Sequence, residues 1–402
     1  MKRRHIIWLM AILSTGVLSG QQLYNGGFIP AARQAEWYKA GLLKKYERAD
    51  KVINITTKSG ANWNERVQNA LIEARGYAAQ KLMTIIYFPA GTYILNNGIT
   101  LNAASGDSNV VFQGDGSGQT ILQFEGNPSP HCFYITGIIG AFGSNQVLNN
   151  ISKGSTVLTG NFPSGQSTSI VAGNWIQYCY YDFWYDPRDV LERDIIGQIT
   201  KVTAKTTSSL TIKDKTSMPY SPNSSVIHVR KINPIRNIGI ENLAVKRTNI
   251  SSGAAACNFY FSGAVNCWIK GIESNMTAKH HVNVIFSSHL YISSSYFHHA
   301  QYYDGRNGGY GVLLYGSTTN TLVENNSFNH LRHALIVGGG ANTNVYTYNY
   351  SRDGYAKEDG IVKKLSDCNV HAKYPFANLF EQNWVETIHA DKWHGLNGPY
   401  NT

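Results

Sequence analysis

The chain is 402 residues long, with a formal charge of +10, 15% charged residues, 38 glycines and 25 tyrosines. This composition favours a β-rich extracellular protein over a helical cytosolic one, and the surplus of positive charge suits an acidic partner. Lysine and arginine are scattered, without a basic helix, zinc-finger or RNA-recognition signature, which argues against nucleic acid as that partner.

Residues 1–20 open with Lys2, Arg3 and Arg4, continue through an apolar stretch from Ile6 to Leu18 and close on Ser19 and Gly20. This is the layout of a cleavable secretory signal, and its apolar run falls short of the roughly 20 residues that span a membrane. Without those three basic residues the formal charge is +7, that is, +10 less three. The expectation is a secreted monomer that is not embedded in a membrane. Residues 21–50 read as a lead-in with helical character from Ala35 to Tyr46, and the domain is expected to run from 51 to 402.

Asn62 to Gln80 reads as an amphipathic helix, with Val67, Leu71 and Ala74 at helical spacing and Asn62 or Asn64 as its cap. A strand, a Pro89–Gly91 turn and a second strand follow in Thr84-Ile-Ile-Tyr-Phe-Pro-Ala-Gly-Thr-Tyr-Ile-Leu95. Next comes Val110-Val-Phe-Gln-Gly-Asp-Gly-Ser-Gly-Gln-Thr-Ile-Leu122, another strand with a glycine-rich corner. This order resembles the opening of the pectate-lyase superfamily domain of pectin-lyase-like proteins, by motif over roughly Val52 to Phe124. The resemblance implies an all-β, right-handed parallel β-helix whose first coil is capped by an N-terminal helix. It leaves the reaction open, because lyases, hydrolases, epimerases and tailspikes share the fold.

Residues 145–230 break the coil pattern and carry strands separated by Gly, Ser, Asn and Pro turns, which points to a β-rich insertion. Its run Tyr178-Cys-Tyr-Tyr-Asp-Phe-Trp-Tyr185 is either a packed loop core or a platform for sugar rings. From Asn237 a repeat appears in six hexapeptides that begin at Asn237, Asn266, Ser288, Asn320, Asn344 and Asn378. Their starts lie 29, 22, 32, 24 and 34 residues apart, as coils with loops of different length would produce. Asparagine at the repeat ends fits sharp left-handed turns and stacked side-chain hydrogen bonds. The chain reaches Thr402 without a polar cap, so a truncated solenoid is expected.

Ten of the 13 histidines lie between His280 and His394. Aligning Ala256–Phe261, His281–Phe286, Tyr310–Tyr315 and Arg332–Val337 puts His281, Tyr310 and Arg332 at one level of successive coils, with His333 beside them. These four are the expected catalytic residues. Lys279, His280, Tyr302, Tyr303, Asp304, Arg306 and His330 are the expected substrate-binding residues around them. β-Elimination from a uronate polysaccharide needs a carboxylate clamp, a base and an acid. Arg332 or Lys279, His281 or His333, and Tyr310 or Tyr303 supply these in turn.

A glycoside hydrolase is the competing enzyme, but Asp304, Glu324, Asp353 and Glu381 form no clear pair by register. The polygalacturonase-like and Arg-x-Pro-x-x-Arg signatures are absent, and Glu358, Asp359 and Asp367 are too loosely spaced for a calcium site. The five cysteines are irregularly spaced and indicate neither a disulfide framework nor zinc. No metal or cofactor is expected. A non-catalytic carbohydrate-binding solenoid is the remaining alternative.

Overall fold

A computed structural model describes residues 29–45, 49–125, 131–143, 146–162, 169–180, 195–222, 226–248, 256–305, 308–371 and 373–402. Three long parallel sheets run side by side, with nine, seven and eight strands. The first begins with Lys51–Asn54 and Thr84–Phe88 and ends with Leu379–Glu381; the second runs from Gly91–Leu95 to Tyr350–Arg352. The third consists of Ile99–Asn102, Phe133–Thr136, Phe259–Ser262, His280–Ile285, Tyr310–Tyr315, His333–Gly338, Cys368–His371 and Ile388–Asp391. The chain visits the sheets in turn, and every pairing within them is parallel, which makes a right-handed β-helix. Strands alternate inward and outward, so one buried core fills the interior, with Phe133 on Phe259 and, further along, Phe297 on Phe328 stacked from coil to coil and Phe112 meeting Phe133 edge-on.

The helix Trp63–Ala79 covers the first coil with Val67, Ala70, Leu71 and Ala74. Asn62 is its cap, accepting from the Glu65 N–H, while the Glu65 carboxylate accepts from the Ala61 N–H. Asn64 instead accepts from the backbone of Asn96, tying the helix to the next turn.

The six repeats are the strands of the first sheet, with a correction to their register. The residues in the left-handed region at its first corner are Asn237, Asn266, His289, Asn320, Thr343 and Ala377. At its second corner they are Asn242, Gly271, Ser294, Asn325, Tyr348 and Gln382. Asparagine therefore does two jobs. Some asparagines hold corners, whereas Asn326, Asn349 and Asn383 form one internal hydrogen-bonded ladder and Asn344, Asn378 and Asn401 another. The ladder asparagines sit one residue past the corner, so a repeat drawn on asparagine alone slips between the two positions.

The β-rich insertion is an antiparallel sheet between Ile138 and Asn233 with a core of its own, including Tyr178, Tyr220, Ile227 and Val229. Tyr178 is buried there and donates to Gln198; residues 181–185 lie outside the described residues. The lead-in holds two short 3-10 turns, Ala31–Arg33 and Trp37–Lys39, in place of the expected helix. It forms a strap that runs against the direction of the coils. Arg33 donates to Asn401, Trp37 to the carbonyl of Ala377, Gly41 to that of Asn320, and Lys44 to the Asn266 side chain.

Candidate functional site

The outer face of the third sheet carries two adjoining clefts. In the strands His280–Ile285, Tyr310–Tyr315 and His333–Gly338, His280 pairs with Tyr310 and Tyr310 with His333, and regular pairing resumes at Val282, Val312 and Leu335. The skipped residues are His281, Gly311 and Ala334. Each is followed by a core residue, so two consecutive positions face inward in all three strands, with no shift of register between them. A side chain at Gly311 would strike the Ala334 carbonyl at 2.2 Å, so glycine is needed for the coils to close here. This shared kink turns His280, Tyr310 and His333 outward as one column. The rings of His280 and Tyr310 lie parallel at 4.9 Å, and that of His333 meets Tyr310 edge-on at 5.2 Å.

The sequence register is thus one residue out at two of its three members. His281 is buried inside the solenoid, where its ring bonds Ser274 Oγ at 2.8 Å and the His299 carbonyl at 3.1 Å and packs against Phe297. It does not reach the cleft. Arg332 precedes the column and reaches it from the side. Its Nη1 donates to the Tyr310 hydroxyl at 3.0 Å, and its Nε and Nη2 donate to Glu358 at 3.2 and 2.7 Å. Lys363 pairs with the other Glu358 oxygen at 2.6 Å. The arginine expected to clamp a substrate carboxylate already holds a protein one.

The first cleft, about 250 Å³, is lined by Lys279, His280, Asn283, Tyr310, Tyr315 and Lys373 among others, with no carboxylate in its described lining. The second, about 460 Å³, is lined by Tyr310, Arg332, His333, Glu358, Asn369 and Asp391 together with Trp393. Tyr310, His371 and His394 line both, so the two form one groove. It crosses five strands, about 19 Å at roughly 4.8 Å per step.

Among the remaining expected residues, Lys279 and His280 lie in the groove, and Asp304 sits in a shallow depression beside Glu358. Tyr302, Tyr303 and His330 line neither cleft. His330 holds a left-handed corner, stacks on His299 and Tyr355 and bonds Asp353 at 2.8 Å. Tyr303 accepts from the Ala300 N–H and packs against the same rings. Arg306 lies outside the described residues.

Sequence reasoning missed His371 and Asp391, which stand opposite each other on the last two strands of the third sheet, Nδ1 to carboxylate at 2.6 Å. Only the histidine clustering hinted at them. No group of His, Cys, Asp and Glu side chains suited to a metal ion occurs among the described residues.

The electrostatics separate these groups. Burial pushes His333 down to about 4, helped by the neighbouring charges of Arg332 and His371. Its Nδ1 faces the Ser366 carbonyl at 2.6 Å, so Nδ1 carries the proton and Nε2 is the basic nitrogen. Tyr310 is raised by burial, against the lowering pull of Arg332. Burial alone would raise Asp391, but the bonds from His371 and the Trp393 N–H outweigh it and hold the carboxyl at about 2. Glu358 is lowered by Lys363 and Arg332.

Among the imidazoles that burial lowers, His131 and His281 fall to about 3, and His289 and His333 to about 4. In the unfolded chain each titrates near 6.5, so between these values the unfolded state binds more protons. Stability is therefore full above pH ~6.5 and falls as the pH drops toward 4, by up to about 1.4 kcal/mol per pH unit for each histidine. Urea midpoints should hold from pH 7.5 to about 6.5 and decline from there to pH 4.5. Midpoints that stay flat to pH 4.5 would contradict the burial of these rings as neutral groups.

No protein-family model matches the chain, and no curated protein sequence matches it either. Among solved structures it is similar to the tailspike gp61 of Pseudomonas phage phi297, with 12% identity, a TM-score of 0.55, and 84% of this chain covering 57% of that one. Weaker similarities include the tailspike gp49 of Pseudomonas phage LKA1, with 14% identity and a TM-score of 0.39 over 80% of this chain and 56% of that one. Another is the catalytic domain of a GH87 α-1,3-glucanase, at 11% identity and 0.40 over 85% and 40%. The chain thus spans a little over half the length of the tailspikes it resembles.

Proposed function

We propose that this chain, whose fold is the right-handed parallel β-helix of pectin-lyase-like proteins, binds an acidic polysaccharide along the outer face of its third sheet and cleaves it by β-elimination. The observation that carries this reading is the composition of the groove. A cationic cleft with no carboxylate among its described lining residues adjoins a cleft in which a neutral imidazole stands beside an arginine-backed phenol. Lys279 and Lys373 offer opposite charge to a sugar carboxylate, and withdrawing electrons from that carboxylate acidifies the C5 proton. His333 Nε2 accepts the proton as base. Tyr310, polarised by Arg332, donates a hydrogen bond to the charge that develops, which is a role different from the free clamp expected of Arg332.

Hydrolysis by a carboxylate pair fits less well. Glu358 and Asp391 share the second cleft, but both are held ionised, Glu358 by Lys363 and Arg332 and Asp391 by the hydrogen bonds from His371 and the Trp393 N–H, and hydrolysis requires one carboxyl to arrive protonated. The test is a panel of acidic and neutral polysaccharides, followed by both ultraviolet absorbance of the unsaturated uronate and release of reducing ends. The expected result is that the two signals rise together on an acidic glycan. Reducing ends without absorbance would make the protein a hydrolase, and tight binding without either signal would leave a carbohydrate-binding solenoid. Secretion, read from residues 1–20, is part of the same proposal.

A further inference from the structure

Elimination breaks a carbon–oxygen bond, and the departing glycosidic oxygen needs a proton whose source the roles above leave open. Two imidazoles in the groove have the same posture and different backing. His333 directs Nδ1–H at a neutral backbone carbonyl, that of Ser366, whereas His371 directs Nδ1–H at the ionised carboxylate of Asp391. An imidazole oriented by a carboxylate is fixed in one tautomer, and its charged form is stabilised when it exchanges protons through Nε2. Paired titratable groups in contrasting surroundings are the arrangement that divides acid from base within one site.

His371 is also placed for the task. It stands at the junction, lining both clefts, so a sugar bound in the cationic cleft and its neighbour in the second meet beside it. The groups around it are Asp391 and His389 on the next strand, Lys373 beyond its own strand, the His394 ring at 5.6 Å, and Tyr315 and His333 from preceding coils.

We infer that His371, oriented by Asp391, is the catalytic acid that protonates the leaving glycosidic oxygen while His333 removes the C5 proton. The inference rests on the elimination reading above. In the step, the C5–H pair becomes the C4=C5 double bond, the C4–O bond breaks, and the oxygen takes the proton from His371 Nε2. His333 then releases its proton to water and His371 regains one, so nothing is oxidised or reduced.

The experiment compares the acidic glycan of the panel on which both signals rise with a synthetic uronoside carrying 4-nitrophenoxide at C4, a leaving group that departs without protonation. His371→Gln should lose about 10²–10⁴-fold in kcat on the glycan and retain most of its rate on the nitrophenoxide substrate. Asp391→Asn should show the same selectivity with a smaller loss, and His333→Gln should fail on both. Equal losses of His371→Gln on both substrates, with an unchanged thermal melt, would overturn the acid role while leaving elimination intact. If the unsubstituted protein eliminates neither substrate, the elimination reading falls first, and the acid role with it.

Discussion

Replacing His333 with glutamine should lower kcat on the susceptible glycan by about 10²–10⁴-fold, the usual worth of a positioned base, while the thermal melt changes little. Glutamine keeps a donor for the Ser366 carbonyl but has no basic nitrogen to offer the substrate. The pH profile gives a second, independent reading. Because burial holds His333 at about 4, the acid limb of kcat/KM should fall near pH 4 instead of near the ~6.5 of an ordinary histidine. Turnover close to that of the unsubstituted protein would remove His333 from the chemistry. An acid limb near 6.5 would show that another imidazole is the base.

Phe297→Ala should cost about 3–5 kcal/mol of stability, the range for truncating a buried aromatic. Phe297 is fully buried, stacks on Phe328 at 5.3 Å and meets the edge of His281 at 5.8 Å. It therefore forms the floor beneath the kink that turns His280 and Tyr310 outward, and activity should fall along with the urea midpoint. Tyr296→Ala, one residue away with a side chain 39% exposed, should cost well under half as much, as surface changes do. A loss below about 1 kcal/mol for Phe297→Ala would mean that the ring does not bear on the core as described.

The coiled architecture was legible because its signals are local and redundant. The helix cap at Asn62, the Pro89–Gly91 turn and the spaced hexapeptides each follow from residue chemistry, and the structure contains all three. The site was legible only as a neighbourhood. Side chains in a strand alternate, so a slip of one residue exchanges the inner and outer faces, and nothing local announces that His281 and Val282 both point inward. Gly311 was the available signal, a glycine within an otherwise apolar strand, which marks a tight bend or a close approach of backbone. His371 and Asp391 were hidden for another reason. The strand Cys368–His371 follows the hairpin Ala356–Glu358 with Ile361–Lys363, so its distance from the preceding coil gives no hint of its register. The pairing of Arg332 with Glu358 crosses 26 residues into that same hairpin, beyond any motif-scale reading.

The strap at the start of the chain sets an order of events during biosynthesis. Trp37 meets its partner, the carbonyl of Ala377, across 340 residues of sequence. At roughly 5–20 residues per second of translation, that partner emerges on the order of 20 to 70 seconds later. Coils stacked one upon the next are able to assemble as they appear, since each needs only its predecessor. The strap must wait for the coils it ties, from Asn266 to Asn401. Its indole therefore stays uncovered until Ala377 is in place, and its docking follows the stacking of the coils it crosses.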